Sequence, residues 1–197
     1  MKTLDWLKFL AHQQGRSNKR VFSVTELANV ADASTAVVNV ELGRLVRKGL
    51  LQRYVPGKYG LPDGVAVEEL VTAIDPDAYV TGAAALARHG LITQIPHEVE
   101  CFTRRRHGRS RRRPSPLGTI VFVCVSPAIH LRPPSGVAAP AEAICDLAYA
   151  CRRRGLDPQS LYTFRKLDAL QVPDDVLSRY PKSVQKNVRR LMHQDDA

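Results

Sequence analysis

Between Ser23 and Gly49 the chain has room for two helices and almost nothing between them. Ser23 is a natural N-cap, and Glu26 three residues later completes a capping-box signature. The helix VTELANVA that follows must stop near Asp32. Only Asp32 and Ala33 precede Ser34, the cap of the next helix, which runs to about Lys48 with Gly49 placed as its terminator. Helices joined this tightly cross at a steep angle, which is the requirement of a helix-turn-helix.

The flanks complete the pattern. Leu4, Leu7, Phe9, Leu10 and Ala11 recur at helical spacing, so residues 3 to 14 form a first helix ended by Gly15. Val21 and Phe22 make a short extended piece. After Gly49, LLQRYVPGKYGLP alternates on both sides of a Pro-Gly turn and reads as a hairpin. Helix, short strand, helix, tight turn, helix and two-stranded ribbon is the order of a winged helix-turn-helix, expected over residues 1 to 63.

The third helix, in ASTAVVNVELGRLVRKGLL, is apolar on two sides. At ~100° per residue, Val38, Leu42 and Leu45 share one stripe, while Ala36, Val40, Gly43 and Arg47 lie near the opposite pole. One stripe belongs to a core. The second suits the floor of a DNA major groove, where small residues admit the backbone and methyl-bearing side chains touch thymine. Val37 and Val40 are the candidates for that apolar contact, Asn39 and Arg44 for base edges, and Arg47 for the same face. Ser34 and Thr35 sit at the positive end of the helix, where phosphate oxygens are favoured. On the ribbon, Arg53, Lys58 and Tyr59 are candidate wing contacts to the backbone or minor groove. The alternative is that Val37 and Val40 are covered by another part of the protein or by a second copy.

Charge favours the nucleic-acid reading. The net charge is +10, and residues 1 to 64 carry ten Lys and Arg against five Asp and Glu. Such a balance selects a polyanionic partner. A membrane is not the expected one: no segment approaches the ~18 uninterrupted apolar residues of a span. The N-terminus reads as an amphipathic helix rather than a signal peptide, so a cytoplasmic location is expected.

Residues 64 to 197 read as a second, mixed domain of helices and a small antiparallel sheet, which makes the chain α+β. GVAVEELVTAI, DPDAYVTGAAALARHGL (capped by Thr81 and stopped by Gly90) and APAEAICDLAYACRRRG are helical, as are LDPQSLYTFRKLDAL and VPDDVLSRYPKSVQKNVRRLMH. HEVECFT and LGTIVFVCVS are strands, and Ile129 to Leu131 a possible further one. Between the two strands lies RRRHGRSRRR, seven arginines in residues 104 to 113, read as a long, mobile hairpin loop. Arg104, Arg105, Arg106, Arg109, Arg111, Arg112 and Arg113 are candidate phosphate contacts. A solvated loop without a dedicated role and a dock for an acidic protein remain open beside that reading, as does binding to structured RNA.

No catalytic constellation is visible. The six histidines are scattered, Glu68-Glu69, Asp174-Asp175 and Asp195-Asp196 are adjacent pairs that diverge or sit at a terminus, and no phosphate-cradling Gly-rich loop occurs. His89 reads as a helix C-terminal residue. Cys101, Cys124, Cys145 and Cys151 fall in apolar elements without metal spacing, as buried reduced thiols do. No enzyme activity, metal or cofactor is expected.

The winged-helix order, followed by DAYVTGAAALARHGLITQIPHEVECFT, a strand pair and APAEAICDLAYA, resembles the AbiEi-type antitoxins of type IV toxin-antitoxin and abortive-infection systems. Tyr79, Thr81, Gly82, Ala85, Leu86, His89, Gly90 and Leu91 carry the resemblance, with Pro140, Glu142, Ala143, Asp146 and Leu147. It spans roughly residues 1 to 150. It implies a bacterial or archaeal repressor of its own operon, binding operator repeats, whose second domain counters a nucleotidyltransferase-like toxin. The arginine-dense connection is a departure from the pattern of that family. A stand-alone transcriptional regulator with no toxin partner is the alternative reading.

Overall fold

The computed structural model describes residues 3–167 and 169–192. It is α+β and divides into two compact units. One runs to Pro76 and takes in Pro114–Leu117; the other holds Asp77–Arg113 and the chain from Gly118 onward. His193, Asp168 and the carboxylates at 195 and 196 lie outside the described residues.

The first unit contains helices α1 (Thr3–Ser17), α2 (Val24–Ala31) and α3 (Thr35–Arg47), strands β1 (Phe22–Ser23), β2 (Gln52–Val55) and β3 (Lys58–Gly60), and helix α4 (Val67–Ile74). The Ser23 side chain accepts from the Glu26 amide at 3.2 Å, and the Glu26 carboxylate accepts from the Ser23 amide at 2.8 Å. That reciprocal pair starts α2. Asp32 ends it in the left-handed region, at φ 48°. Ser34 caps α3 by accepting from the Val37 amide. At the other end Gly49 takes φ 68°, and the amides of Gly49 and Leu50 donate to Val46 and Leu45 at 2.9 and 3.0 Å, a Schellman closure.

Helix α1 continues past Gly15, contrary to expectation. Glycine in an exposed helix costs only ~1 kcal/mol, and the turn comes at Asn18, with φ 52° and its amide on the Gln14 carbonyl. Strands pair in the order β1-β3-β2, antiparallel throughout, with Phe22 opposite Tyr59. Gly57, at φ 78°, makes the turn of the β2–β3 hairpin. Trp6, Leu10, Phe22, Leu27, Val38, Leu42, Leu45 and Tyr59 form the core, each large aliphatic contributing ~1.5–3 kcal/mol on burial. The Trp6 indole donates to Glu41 at 2.9 Å and pins α1 to α3. Helix α4, expected to open the second domain, groups with the first unit: Arg20 donates to the Gly64 carbonyl and pairs with Glu69 at 3.6 Å.

The second unit contains β4 (Tyr79–Val80), α5 (Gly82–Arg88), β5 (Glu98–Thr103), a 3-10 turn (Gly108–Arg111), β6 (Arg112–Arg113), β7 (Thr119–Cys124), α6 (Pro140–Arg153), α7 (Pro158–Leu161), α8 (Asp174–Leu177) and α9 (Lys182–Met192). Its sheet has the order β4-β5-β7-β6. β5 and β7 pair in parallel, from Glu98 opposite Thr119 to Thr103 opposite Cys124. The outer strands are antiparallel, so the sheet is mixed rather than antiparallel.

The arginine-rich segment is therefore a crossover and not a hairpin loop. It leaves the C-terminal end of β5 and returns to its N-terminal end, where the Thr119 amide donates to the His97 carbonyl at 3.1 Å. Parallel strands need a connection of about a dozen residues or more, which residues 104–118 supply. Two of its arginines are themselves the edge strand.

Other expectations need correction. Residues 129 to 131 are not a strand: the Ile129 and His130 amides turn back onto the Ser126 carbonyl. Among the described residues of LDPQSLYTFRKLDAL only Pro158–Leu161 is helical; Phe164 then runs extended beside Ile92. Pro181 separates α8 from α9. The core lies where Phe102, Leu86, Ile144, Leu147, Val184 and Val188 meet between sheet and helices. Among the described residues no helix is long and apolar enough to cross a membrane.

Candidate nucleic-acid interface

Helix α3 has the two faces its sequence requires. Val38, Leu42 and Leu45 are buried. Val37 and Val40 remain 55% and 56% exposed, and a Cβ added at Gly43 would meet nothing within 4 Å. Thr35, Ala36, Asn39, Arg44 and Arg47 are exposed on the same side or its flanks. Leu4 and Val30 of the same unit are exposed too, at 59% and 46%, but Val37 and Val40 are neighbours on one helix face. The single acid of α3, Glu41, lies toward the buried stripe and is held by Trp6. The exposed face is therefore apolar and cationic without a competing carboxylate of its own helix. Ser34 is exposed at the N-terminal end; its oxygen already accepts from Val37, leaving its hydroxyl proton for an acceptor outside.

The ribbon is a mixed outcome. Arg53 is exposed on β2, and Lys58 is half-buried at the turn end of β3. Tyr59, expected at the surface, is 6% exposed: it stands opposite Phe22 and belongs to the core, so its ring supports the ribbon instead of touching a ligand. Strand alternation explains this, since one of every two adjacent residues must face inward.

The arginine segment is more structured than a free loop. Arg104 grips Asp77, with guanidinium nitrogens at 2.6 and 3.1 Å and its own amide at 2.9 Å from the carboxylate. The guanidinium beside Asp77 holds that carboxyl well below the usual range. Arg112 pairs with Glu98 at 2.6 Å, and Arg113 lies over the Phe122 ring at 5.8 Å while donating to the Ser110 carbonyl. These three arginines are committed to the fold, which removes them from the foremost phosphate candidates. Arg105, Arg106, Arg109 and Arg111 are exposed. Two arginines from elsewhere join them. Arg153, at the end of α6, donates to the Cys124 carbonyl at 3.1 Å, and Arg154 pairs with Glu100 at 2.8 Å. The sequence showed the RRRG run but not that it reaches β7 and β5, contacts that only tertiary packing creates.

The residues that carry the family resemblance lie mostly inside the second unit. Asp146 is fully buried and accepts from Thr81 at 2.6 Å, Tyr180 at 2.6 Å and Tyr79 at 3.2 Å. Burial pushes its carboxyl up to about 7, against the three hydroxyls that favour the ionised form. Tyr180 was not singled out in the sequence; nothing local marks it. His89 closes α5 and its Nε2 donates to the Ala138 carbonyl at 2.9 Å, so that nitrogen carries the proton. This cluster is architecture and offers no reacting atom to solvent.

Cys101, Cys145 and Cys151 are buried thiols, as expected; burial pushes Cys145 up to about 12 and Cys151 up to about 11. Cys124 is only half-buried, because it ends its strand. Among the described residues no cluster of three or more His, Cys, Asp or Glu side chains is placed to hold a metal ion. No protein-family model matches the chain, and no curated protein matches it in sequence.

Proposed function

We propose that the first unit is a winged helix-turn-helix that binds duplex DNA, with α3 as the recognition helix and the β2–β3 hairpin as the wing. The protein as a whole is read as a cytoplasmic, non-enzymatic transcriptional repressor of the AbiEi antitoxin type. It acts on repeats in its own operator and counters a nucleotidyltransferase-like toxin.

The observation that carries the DNA reading is the exposed face of α3. Val40, Arg47 and an unobstructed Gly43 form the centre of the strip, with Asn39 on one flank and Arg44 and Val37 on the other. Apolar contact with thymine methyls and bidentate contact with base edges are what such a strip supplies. Ser34 and Thr35 engage phosphate at the N-terminus, Arg53 and Lys58 follow the backbone, and the exposed arginines of the crossover add sequence-independent attraction. The antitoxin half of the reading rests on the pattern from Tyr79 to Leu91 and from Pro140 to Leu147, and is separable from the DNA half.

The test is footprinting of the full chain on the DNA upstream of its own gene at two salt concentrations. Protected repeats that persist at the higher salt support the reading. Protection no different from that on unrelated DNA refutes it. For the antitoxin half, an adjacent nucleotidyltransferase-like gene is expressed with and without this chain; growth arrest relieved by the chain is the expected result, and arrest unchanged by it refutes that half alone.

A further inference from the structure

The second unit contains a cleft of about 640 Å³ beside Phe122–Cys124, beyond the two residues of β7 that β6 pairs with. Five arginines line it, and they are not equivalent. Arg112 and Arg154 are neutralised by Glu98 and Glu100, at 2.6 and 2.8 Å. Among the described residues, Arg106, Arg111 and Arg153 have no carboxylate partner. Three uncompensated guanidinium groups thus share one concavity. In such a space the walls exclude part of the solvent and focus the field, so an anion is held more strongly than on a convex surface. The planar fork of arginine matches the oxygens of a phosphate in particular.

Size and the remaining walls narrow the ligand. A bare phosphate fills a small part of this volume, which falls in the range of about 300–1,000 Å³ typical of drug-sized ligands. The His107 ring lines the cleft and is stacked on Phe122, with centroids 4.1 Å apart and planes 19° from parallel. Flat rings fixed in this way are surfaces on which a heterocycle stacks. Glu98 gives one oxygen to Arg112 and keeps the other as an acceptor for a ligand N–H.

We propose that this cleft is a nucleotide-binding site, with the phosphates held by Arg106, Arg111 and Arg153 and the base against the His107–Phe122 stack. The site goes beyond the DNA reading and does not depend on it. It would give the second unit a small-molecule effector, and it assigns a second role to Arg106 and Arg111, two of the exposed arginines of the crossover.

The test is equilibrium binding to the full chain at physiological ionic strength, with four probes: ATP, AMP, inorganic phosphate and a short single-stranded oligonucleotide. ATP and AMP are expected to saturate a single site, and phosphate to bind far more weakly. Arg106→Ala and Arg153→Ala should each weaken ATP by about tenfold or more, the loss of one charge-assisted contact. Arg109→Ala, which does not line the cleft, should leave ATP binding unchanged. Unaltered melting temperatures would show that the variants fold; if Arg153→Ala does not, Arg153→Lys takes its place. The proposal fails if neither mononucleotide binds. It fails if Arg109→Ala matters as much as Arg106→Ala, since the attraction is then diffuse. It also fails if phosphate binds as tightly as AMP, or if only the oligonucleotide depends on Arg106.

Discussion

The Thr81 hydroxyl does not cap the helix it precedes; it donates to Asp146 Oδ2 at 2.6 Å, while Tyr180 donates to the other carboxylate oxygen at the same distance. A short polar residue at a helix start is spent on tying β4 and α5 to α6. Replacing it with an isostere lacking the hydroxyl strands part of a buried carboxyl. Thr81→Val should cost about 1–3 kcal/mol in denaturant unfolding, whereas Thr81→Ser should cost clearly less. Equal losses for the two would mean that the methyl group, not the hydrogen bond, is what matters.

Asp146 also sets a pH dependence. Its carboxyl lies at about 7 in the fold and near 3.9 in an unfolded chain. Between those values the folded state holds the extra proton. The contribution is fully present below about pH 4 and is lost as pH rises through 7, with a slope of at most about 1.4 kcal/mol per pH unit. The difference in unfolding free energy between wild type and Asp146→Asn should therefore shift toward the variant as pH rises from 5 to 8, where ~5–8 spans the folded-state titration. A difference flat across that range would contradict the assignment. Should Asp146→Asn not fold, Tyr180→Phe tests the same carboxyl: losing a donor to the ionised form should move the titration upward.

The exposed strip of α3 predicts a separation of stability from binding. Val40 is 56% exposed, so Val40→Glu should change unfolding free energy by no more than about 0.5 kcal/mol. Placed against phosphates and base edges, the same carboxylate should abolish operator binding. Arg44→Ala should cost about 1–3 kcal/mol on operator and less on random DNA. Gel-shift titrations beside melting curves read both quantities. Wild-type binding by Val40→Glu would remove α3 from the interface.

Tyr59 separates the buried ring from the surface ribbon. Tyr59→Phe should leave DNA affinity unchanged. Tyr59→Ala should cost about 3–5 kcal/mol of stability through the cavity it leaves. Arg53→Ala should do the reverse, weakening all DNA alike with little effect on melting. An affinity loss in the Phe variant would return Tyr59 to the wing.

Arg104 and Arg109 differ in what they are predicted to do. Arg104 is bound to a half-buried Asp77 with its own guanidinium exposed, and a partly exposed pair of this kind is worth about 1 kcal/mol. Arg104→Ala should thus lower stability slightly and leave the salt dependence of DNA binding almost intact. Arg109→Ala should leave stability alone and flatten the salt slope by up to about one unit. Identical salt slopes for Arg109→Ala and wild type would exclude that arginine from the phosphate contacts.

The elements decided by neighbours in sequence were readable from the chain. Ser23 with Glu26, Ser34, Asp32, Gly49 and the Pro56-Gly57 turn each act within a few residues, and each stands where its chemistry requires. The burial of Val38, Leu42 and Leu45 followed from helical period alone. What escaped was decided at a distance. Two strands bracketing a polar run look the same whether they pair as a hairpin or in parallel, because alternation carries no direction. Only the docking of Thr119 beside His97 distinguishes them. Arg112 and Arg113 have no preference for a strand and acquire one from the unpaired flank of β7. The partners of Asp146 come from β4, α5's cap and the chain before α9, which no window of sequence joins.

The placement of β6 has a consequence for the behaviour of the protein at high concentration. A sheet that ends in a bare, flat border invites a neighbouring molecule to continue it, which is how fibrils begin. Here the terminal rung is only two residues long, and its arginines are held by Glu98 and by the Ser110 carbonyl. So short an edge, with both arginine side chains already engaged, offers a neighbouring copy little free backbone to pair with.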